Sequence, residues 1–281
     1  MENFESWIGK TDVQDDICST RPVHMMQARL NQTAIQPVVL PHLYHWCYFL
    51  PIVDHQTLAE DGHPRKGNFL PPIPFPKRMW AGGRLQFIQP IQIDQALHRE
   101  SEIKNIQFKQ GKSGSMYFVT VEHRLFADDQ LCIIEEHDIV YREASNKLTS
   151  IPTAIDQPQE LRTADYRHHY HADTVALFRY SAATFNGHKI HYDRNYCIEQ
   201  EGYPGLVVHG PLLATLLLHF FKHEYPAADI KTFNFRALKP VFDFQKFNVC
   251  GVCNADQAEV WIEHLDGSVA MQAELTLHGG A

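Results

Sequence analysis

Strand-like, apolar-rich runs follow one another in the first half of the chain, 83–93, 98–109, 115–125 and 131–141. Gly111-Lys112-Ser113-Gly114 and Asp128-Asp129 mark the turns between the last three runs. The same order returns later, with strands expected at 231–240, 242–252, 258–264 and 268–277 and a turn at Asp266-Gly267. In this second half a period of two, the mark of a half-buried strand, is clear in Val260 and Ile262 and in Ala270, Gln272 and Glu274. Before each set lies a more continuous apolar stretch, 41–53 and 211–223, and both are read as helices. A Pro/Gly-rich segment, 62–76, follows the first. Residues 145–159 (SNKLTSIPTAIDQPQ) have the composition of a linker. The chain therefore reads as two similar halves, 1–150 and 160–281. A short echo supports duplication: Val121-Glu122-His123 and Ile262-Glu263-His264 each precede an acidic turn and a strand. One helix followed by antiparallel strands predicts an α+β fold, the helix lying across a curled sheet. No βαβ alternation and no G-x-G-x-x-G, Walker or G-x-S-x-G pattern occurs.

Composition narrows the functional classes. The 281 residues are 44% hydrophobic and 21% charged, an ordinary globular balance. The net charge is −8 and no basic run is present, which argues against a nucleic-acid partner. The N-terminus is acidic and matches no targeting signal. The most apolar stretch, 205–221, is too short to span a bilayer and carries His209, Pro211 and His219, so no membrane association is expected. Cysteines 18, 47, 132, 197, 250 and 253 are scattered, so a reducing cytoplasm is the expected compartment. Cys250 and Cys253 are three apart on an expected strand and face opposite sides, which suits neither zinc nor a redox pair. The Arg167–His171 run (RHHYH) reads as a polar strand entry rather than a metal site.

Chemistry concentrates between residues 179 and 213. Asn186-Gly187-His188 is turn-like. Ile190-His191-Tyr192-Asp193 sets a histidine among acidic and aromatic groups. An imidazole with an ordinary pKa of about 6.5 can take and return a proton at neutral pH, which makes His191 the candidate acid/base. His209-Gly210-Pro211 opens the second apolar helix. Proline suits a helix start, and glycine lets a ligand approach backbone N–H groups. Such an end could hold a developing enolate oxygen; the same pattern also suits a plain buried helix.

At this point a family resemblance emerges. The run Thr184-Phe185-Asn186-Gly187-His188-Lys189-Ile190-His191 resembles, in spacing, the signature of MaoC-like type 2 enoyl-CoA hydratases, with His191 in the histidine position. His209-Gly210-Pro211-Leu212 resembles their His-Gly helix start. Leu43–Pro51 (LYHWCYFLP), Asp61-Gly62-His63-Pro64 and Phe69–Arg84 (FLPPIPFPKRMWAGGR) resemble a branch containing mesaconyl-CoA hydratases, itaconyl-CoA hydratases and mitochondrial-type hydroxyacyl-thioester dehydratases. The resemblance, over about 40–277, implies a double hotdog of two curled antiparallel sheets, each wrapped on a helix. It implies an acyl-CoA substrate and reversible addition of water to an α,β-unsaturated thioester. His191, Asn186 and the Gly210 amide would be catalytic, and His188 would help bind substrate. No metal and no organic cofactor are expected, because the thioester already acidifies the α-position.

Asn186 departs from the family pattern, which carries Asp there. A five-carbon substrate with its own carboxylate, itaconyl- or mesaconyl-CoA going to citramalyl-CoA, would account for it. Two carboxylates 4 Å apart repel by about 1 to 4 kcal/mol at effective dielectrics of 80 to 20. An arginine would then clamp the substrate carboxylate, with Arg84, Arg78 and Arg179 as candidates in that order. Arg236 and Lys239 are candidates for the CoA phosphates. A 3-hydroxyacyl-thioester dehydratase of fatty-acid synthesis and a non-catalytic acyl-CoA-binding protein are the competing readings. Open sheet edges make a homodimer the expected assembly.

Overall fold

The strand-like runs fold as ladders. The computed structural model describes residues 3–32, 37–111, 114–143 and 161–279; the expected linker 145–159 lies outside them. The chain divides into two units. Unit one is Met1–Asn146 together with Ala182–His188, and unit two is Lys147–Ser181 with Lys189–Ala281.

In unit one, strand β1 (Thr11–Ile17) is followed by helix α1 (Thr20–Arg29) and strands β2 (Lys77–Phe87), β3 (Ala96–Gly111), β4 (Gly114–Ala127) and β5 (Gln130–Arg142). Their order across the sheet is β1-β3-β4-β5-β2, every pairing antiparallel. Tyr117, Val119 and Val121 on β4 join Ile103, Ile139 and Tyr141 in one core cluster, as a period of two requires.

Unit two holds β6 (Tyr166–His171), α2 (Thr174–Thr184, its last three residues counted in unit one), α3 (Arg194–Glu199), α4 (Gly210–Glu224), β7 (Ile230–Ala237), β8 (Lys246–Asn254), β9 (Gln257–His264) and β10 (Val269–Leu277). The order β7-β10-β9-β8-β6 repeats the strand succession of unit one. The echoed tripeptides, 121–123 and 262–264, fall on the equivalent strands β4 and β9. Helix α4 buries Leu212, Leu213, Leu216, Leu217, Leu218 and Phe221 and packs on β8, β9 and β10. Each of those side chains contributes about 1.5 to 3 kcal/mol of apolar burial, which explains a helix apolar on most of its circumference.

Two expectations need correction. The stretch 41–53 is not a helix: only Tyr44–Cys47 forms a 3-10 turn. Leu43 and Phe49 adopt left-handed φ values of 67° and 52°, which an α-helix cannot contain. The polar tips of this stretch bond outward instead. His45 Nε2 meets Glu135 Oε2 at 3.0 Å, the Trp46 indole donates to Glu135 Oε1 at 2.8 Å, and the Phe49 amide donates to Asp16 at 2.8 Å. The helix of unit one is α1, whose apolar face is narrow, with Val23 and Met26 buried among polar neighbours. Strand β8 also starts later than the apolar run at 242, because Phe242 and Gln245 close a turn on each other.

The polar run at 167–171 is a strand, β6. Its imidazoles have separate partners: His168 meets Glu224 at 2.8 Å, His169 meets Asn248 at 2.7 Å, and His171 meets the Asp243 carbonyl at 2.8 Å. Cys250 is buried, and burial first of all pushes its thiol up to about 12, away from the thiolate that metal or redox chemistry uses. Among the described residues, no helix is long and apolar enough to cross a membrane.

Candidate active site

His191 closes the 3-10 turn Lys189–His191 in unit two and is buried. Its Nδ1 lies 2.7 Å from the Val207 carbonyl. A carbonyl only accepts, so Nδ1 carries a proton, and in the neutral form of the ring the lone pair lies on Nε2. The carbonyl is itself fixed. The Val207 amide donates to Ile190 O at 3.0 Å, and the flanking Val208 amide donates to Val241 O at 2.8 Å. The buried Asp243 carboxylate accepts from the Leu206 amide at 2.9 Å and pairs with Arg194. Asp193 is committed to a cap, accepting from the Tyr196 amide at 3.0 Å at the start of α3.

The segment that orients His191 also opens α4. His209 is the N-cap residue of that helix, and its ring stacks on His191 with centroids 3.6 Å apart and 18° between planes. Ser181 Oγ holds His209 Nε2 at 2.9 Å. No side chain caps the helix, and the first helical N–H groups, that of Gly210 included, have no intrahelical acceptor. Pro211 stands one residue inside the helix, where its missing N–H costs nothing. Unit two thus stacks the His191 imidazole on the residue that precedes a helix N-terminus. One group can move a proton and the other can stabilise an anion.

Asn186 and His188 belong to unit one. Asn186 Oδ1 accepts from the His188 amide at 3.0 Å, shaping the turn and leaving the Asn186 NH₂ to donate. His188 is buried, and its ring stands 4.1 Å from that of His63. His63 Nδ1 meets Asp61 Oδ2 at 2.9 Å, and the His63 amide donates to Asp61 Oδ1 at 3.0 Å. Burial alone would raise the Asp61 pKa, but the hydrogen bond and charge of His63, with that of His188, take it below the usual carboxylate range. His63 is lowered, first by burial and then by Arg78, against the opposing pull of Asp61. Asp61, His63 and His188 have ligand atoms within 4.8 Å of one another, so they are the described residues with the geometry to share a metal ion.

Two glycines make this cluster possible. Gly62 has φ +90°, and a Cβ there would come 2.0 Å from the Gly187 carbonyl oxygen. A Gly62→Ala variant is expected to lose about 1 to 3 kcal/mol from the left-handed backbone alone, with more from the clash; a calorimetric melt checks it. Unchanged melting would mean that the 62–187 contact does not hold the cluster.

The remaining candidates are dispersed. Arg84, first choice for a carboxylate clamp, is exposed and already engaged: its guanidinium meets Asp138 at 2.6 and 2.9 Å and Glu136 at 2.5 Å. These partners raise its pKa, Asp138 most. A guanidinium forked onto a resident carboxylate has little left for a substrate. Arg78, on the same strand, is half-buried beside His63 and Lys66. Arg179 is exposed on α2. Arg236 on β7 and Lys239 beyond it are exposed as well. Asp61 and His63 entered the sequence reading only as part of a resembling stretch, and the stacking of His209 on His191 has no signature in residue spacing.

The family model for hydroxyacyl-thioester dehydratase type 2 matches residues 43–243. The mesaconyl-C(4)-CoA hydratase of Chloroflexus aurantiacus is 43% identical over 281 residues, covering 99% of this chain and 99% of that protein. A MaoC-like dehydratase structure superposes with a TM-score of 0.74 at 13% identity, over 98% of this chain and 99% of the other. A Mycobacterium tuberculosis protein described as having a double hotdog fold superposes at 0.60 and 11% identity, over 96% of each chain. The fold is thus α+β, a double hotdog. With the family model running from residue 43 of unit one to residue 243 of unit two, and a relative 43% identical along almost the whole chain, the chain belongs to the hydroxyacyl-thioester dehydratase type 2 family and is a MaoC-like hydro-lyase.

Proposed function

We propose that the enzyme reversibly hydrates the double bond of a five-carbon dicarboxylyl-CoA, mesaconyl-CoA before itaconyl-CoA, to give citramalyl-CoA. The observation that carries the chemistry is His191, held by the Val207 carbonyl and stacked on His209 at the mouth of α4. The substrate class follows the relative that is 43% identical. In this reading His191 Nε2 takes a proton from water as the oxygen bonds to the β-carbon. The π electrons move onto the thioester, and the Gly210 N–H, at the positive end of α4, stabilises the enolate oxygen. The imidazolium then returns the proton to the α-carbon, so that one water is added and nothing else is consumed. No cofactor enters the scheme.

Asn186 fits a substrate that brings its own negative charge. Its amide donates to a water or a carboxylate where aspartate would repel. The arm that binds CoA is assigned to Arg236 and Lys239, the working compartment to the cytoplasm, and the assembly to a homodimer, which light scattering checks.

Turnover of mesaconyl-, itaconyl- and crotonyl-CoA by the purified protein tests the reading. Mesaconyl-CoA is expected to lead crotonyl-CoA by at least tenfold in kcat/KM. Asn186→Asp is expected to narrow that lead, since about 1 to 4 kcal/mol of repulsion returns. A wild type that prefers crotonyl-CoA sinks the dicarboxylyl assignment. Preference for a longer 3-hydroxyacyl thioester points to fatty-acid dehydration, the activity after which the matched family is named. Binding without turnover leaves an acyl-CoA-binding protein.

A further inference from the structure

A small pocket in unit one, about 40 Å³, lies between segment 59–66 and the start of β2. Asp61, His63, Lys66 and Arg78 supply its polar wall, with Ala59 and two prolines as the rest. Its volume accommodates two or three non-hydrogen atoms, the size of a carboxylate group.

The charges decide what such a pocket accepts. Asp61 is spent on His63, through both the ring and the amide. Lys66 donates to the Phe75 carbonyl at 2.9 Å and to that of Ile73, and its ammonium stands 5.4 Å from the centre of the Tyr141 ring. Among the described residues, no carboxylate or carbonyl takes a hydrogen bond from the Arg78 guanidinium. Two cations therefore face one carboxylate, which leaves the wall with an excess of positive charge. That balance opposes a metal ion at Asp61, His63 and His188, although the spacing alone would permit one.

A second observation is independent of the first. Tyr141 is fully buried, and among the described residues its hydroxyl has no hydrogen-bond partner. It is the direct cross-strand neighbour of Arg78 in the β2–β5 ladder, so the two side chains leave the sheet on the same face. The charges of Arg78 and Asp61 both act on it. A buried hydroxyl left without a partner is costly, and a native protein keeps one where something else supplies the bond.

We propose that this pocket is a carboxylate subsite: Arg78 takes both oxygens of a carboxylate, Tyr141 donates a further hydrogen bond, and Lys66 adds positive potential. The proposal rests on the dicarboxylyl reading for the source of that group, the free end of the acyl chain. A free dicarboxylate offers the same chemistry, and the test separates the two.

Arg78→Met and Tyr141→Phe are compared with wild type in two assays, the ratio of kcat/KM for mesaconyl-CoA over crotonyl-CoA and calorimetric binding of free mesaconate. Arg78→Met is expected to lower the ratio by about 100-fold or more, and Tyr141→Phe by about tenfold. Tyr141→Phe is expected to melt at or above the wild-type temperature, because it deletes an unpaired buried hydroxyl; a hydroxyl serving only the core would not move selectivity while sparing stability. It also carries the test if Arg78→Met fails to fold. A ratio that falls in the variants assigns the pocket to the substrate. An unchanged ratio, with mesaconate binding lost in Arg78→Met, assigns it to a free dicarboxylate. If wild type does not turn over mesaconyl-CoA, the functional reading fails, and the binding assay alone decides the pocket. Unchanged ratio and unchanged binding overturn the proposal, as does zinc binding at micromolar concentration that His63→Ala abolishes.

Discussion

Replacing His191 with asparagine lowers kcat by about 10²- to 10⁴-fold, the usual worth of a positioned general base. Asparagine is the informative choice. Its amide nitrogen falls near Nδ1 and can still donate to the Val207 carbonyl, while the lone pair at Nε2 disappears. The turn 189–191 and its link to 207 are therefore kept, and melting stays close to that of wild type. A His191→Ala variant loses as much in rate but also breaks the 2.7 Å bond to Val207 and the stack on His209. Comparing the two separates chemistry from positioning. If the asparagine variant retains more than a third of wild-type kcat, His191 is not the base, and the imidazole stacked beneath it, His209, becomes the group to test.

The second large effect concerns stability. Glu135 on β5 is 1% exposed and holds three side chains: His45 Nε2, the Trp46 indole and His137 Nε2. Ser101 and His123 continue the network, with Ser101 Oγ 2.8 Å from His123 Nδ1 and the His123 ring 4.5 Å from that of His137. Glu135→Leu strips the acceptor and leaves buried donors unpartnered. The expected cost is about 3 to 5 kcal/mol, a fall in Tm of about 10 °C. Acidity has a predictable sign. Burial pushes the Glu135 carboxyl up, but the charges and hydrogen bonds of His137 and His45 outweigh it and hold the pKa well below the usual value. A depressed carboxylate stabilises the fold above its unfolded pKa of about 4.3 and loses that contribution as pH falls below it. The gap in Tm between wild type and variant should therefore be full at pH 7 and shrink below about pH 4. A variant that melts with wild type at pH 7 would show that Glu135 anchors nothing.

Glu135 also explains why part of unit one was illegible in the chain. Residues 41–53 are apolar enough for a helix, but Tyr44, His45, Trp46 and Tyr48 each carry a polar tip. Periodicity ranks such residues as apolar and does not say where the tips bond. Here Glu135, Gln32 and the Ser19 carbonyl capture them, and the backbone follows. Helix α1 escaped notice for the converse reason, since only a few of its positions are apolar.

The two arginines of β2 make the same point at the site. Residues 78 and 84 are an even number apart, so strict alternation puts both side chains on one face. The register shifts between Trp80 and Gly82, and beyond that bulge the inward positions change parity. Arg78 consequently stands beside the buried Tyr141, while Arg84 is exposed and meets Asp138 and Glu136. Sequence put Arg84 first among the candidate clamps, but the bulge leaves its guanidinium on Asp138 and Glu136.

What the amino-acid sequence determined by itself is what depends on neighbours a few residues apart. Apolar-rich runs and turn residues placed the eight long strands along the chain, although β2 starts six residues earlier and β8 four residues later than those runs suggest. The apolar run with Gly210 and Pro211 set helix α4, and the spacing from Asn186 to His191 carried the resemblance to the family. What only the tertiary structure decided depends on partners far along the chain: the Val207 carbonyl that selects the His191 tautomer, the Gly62–Gly187 approach that joins His63 to His188, and the bulge that frees Arg78. Hydrogen-bond geometry and close packing act through space, and residues sixteen to a hundred and twenty-five apart leave no mark of it in local pattern.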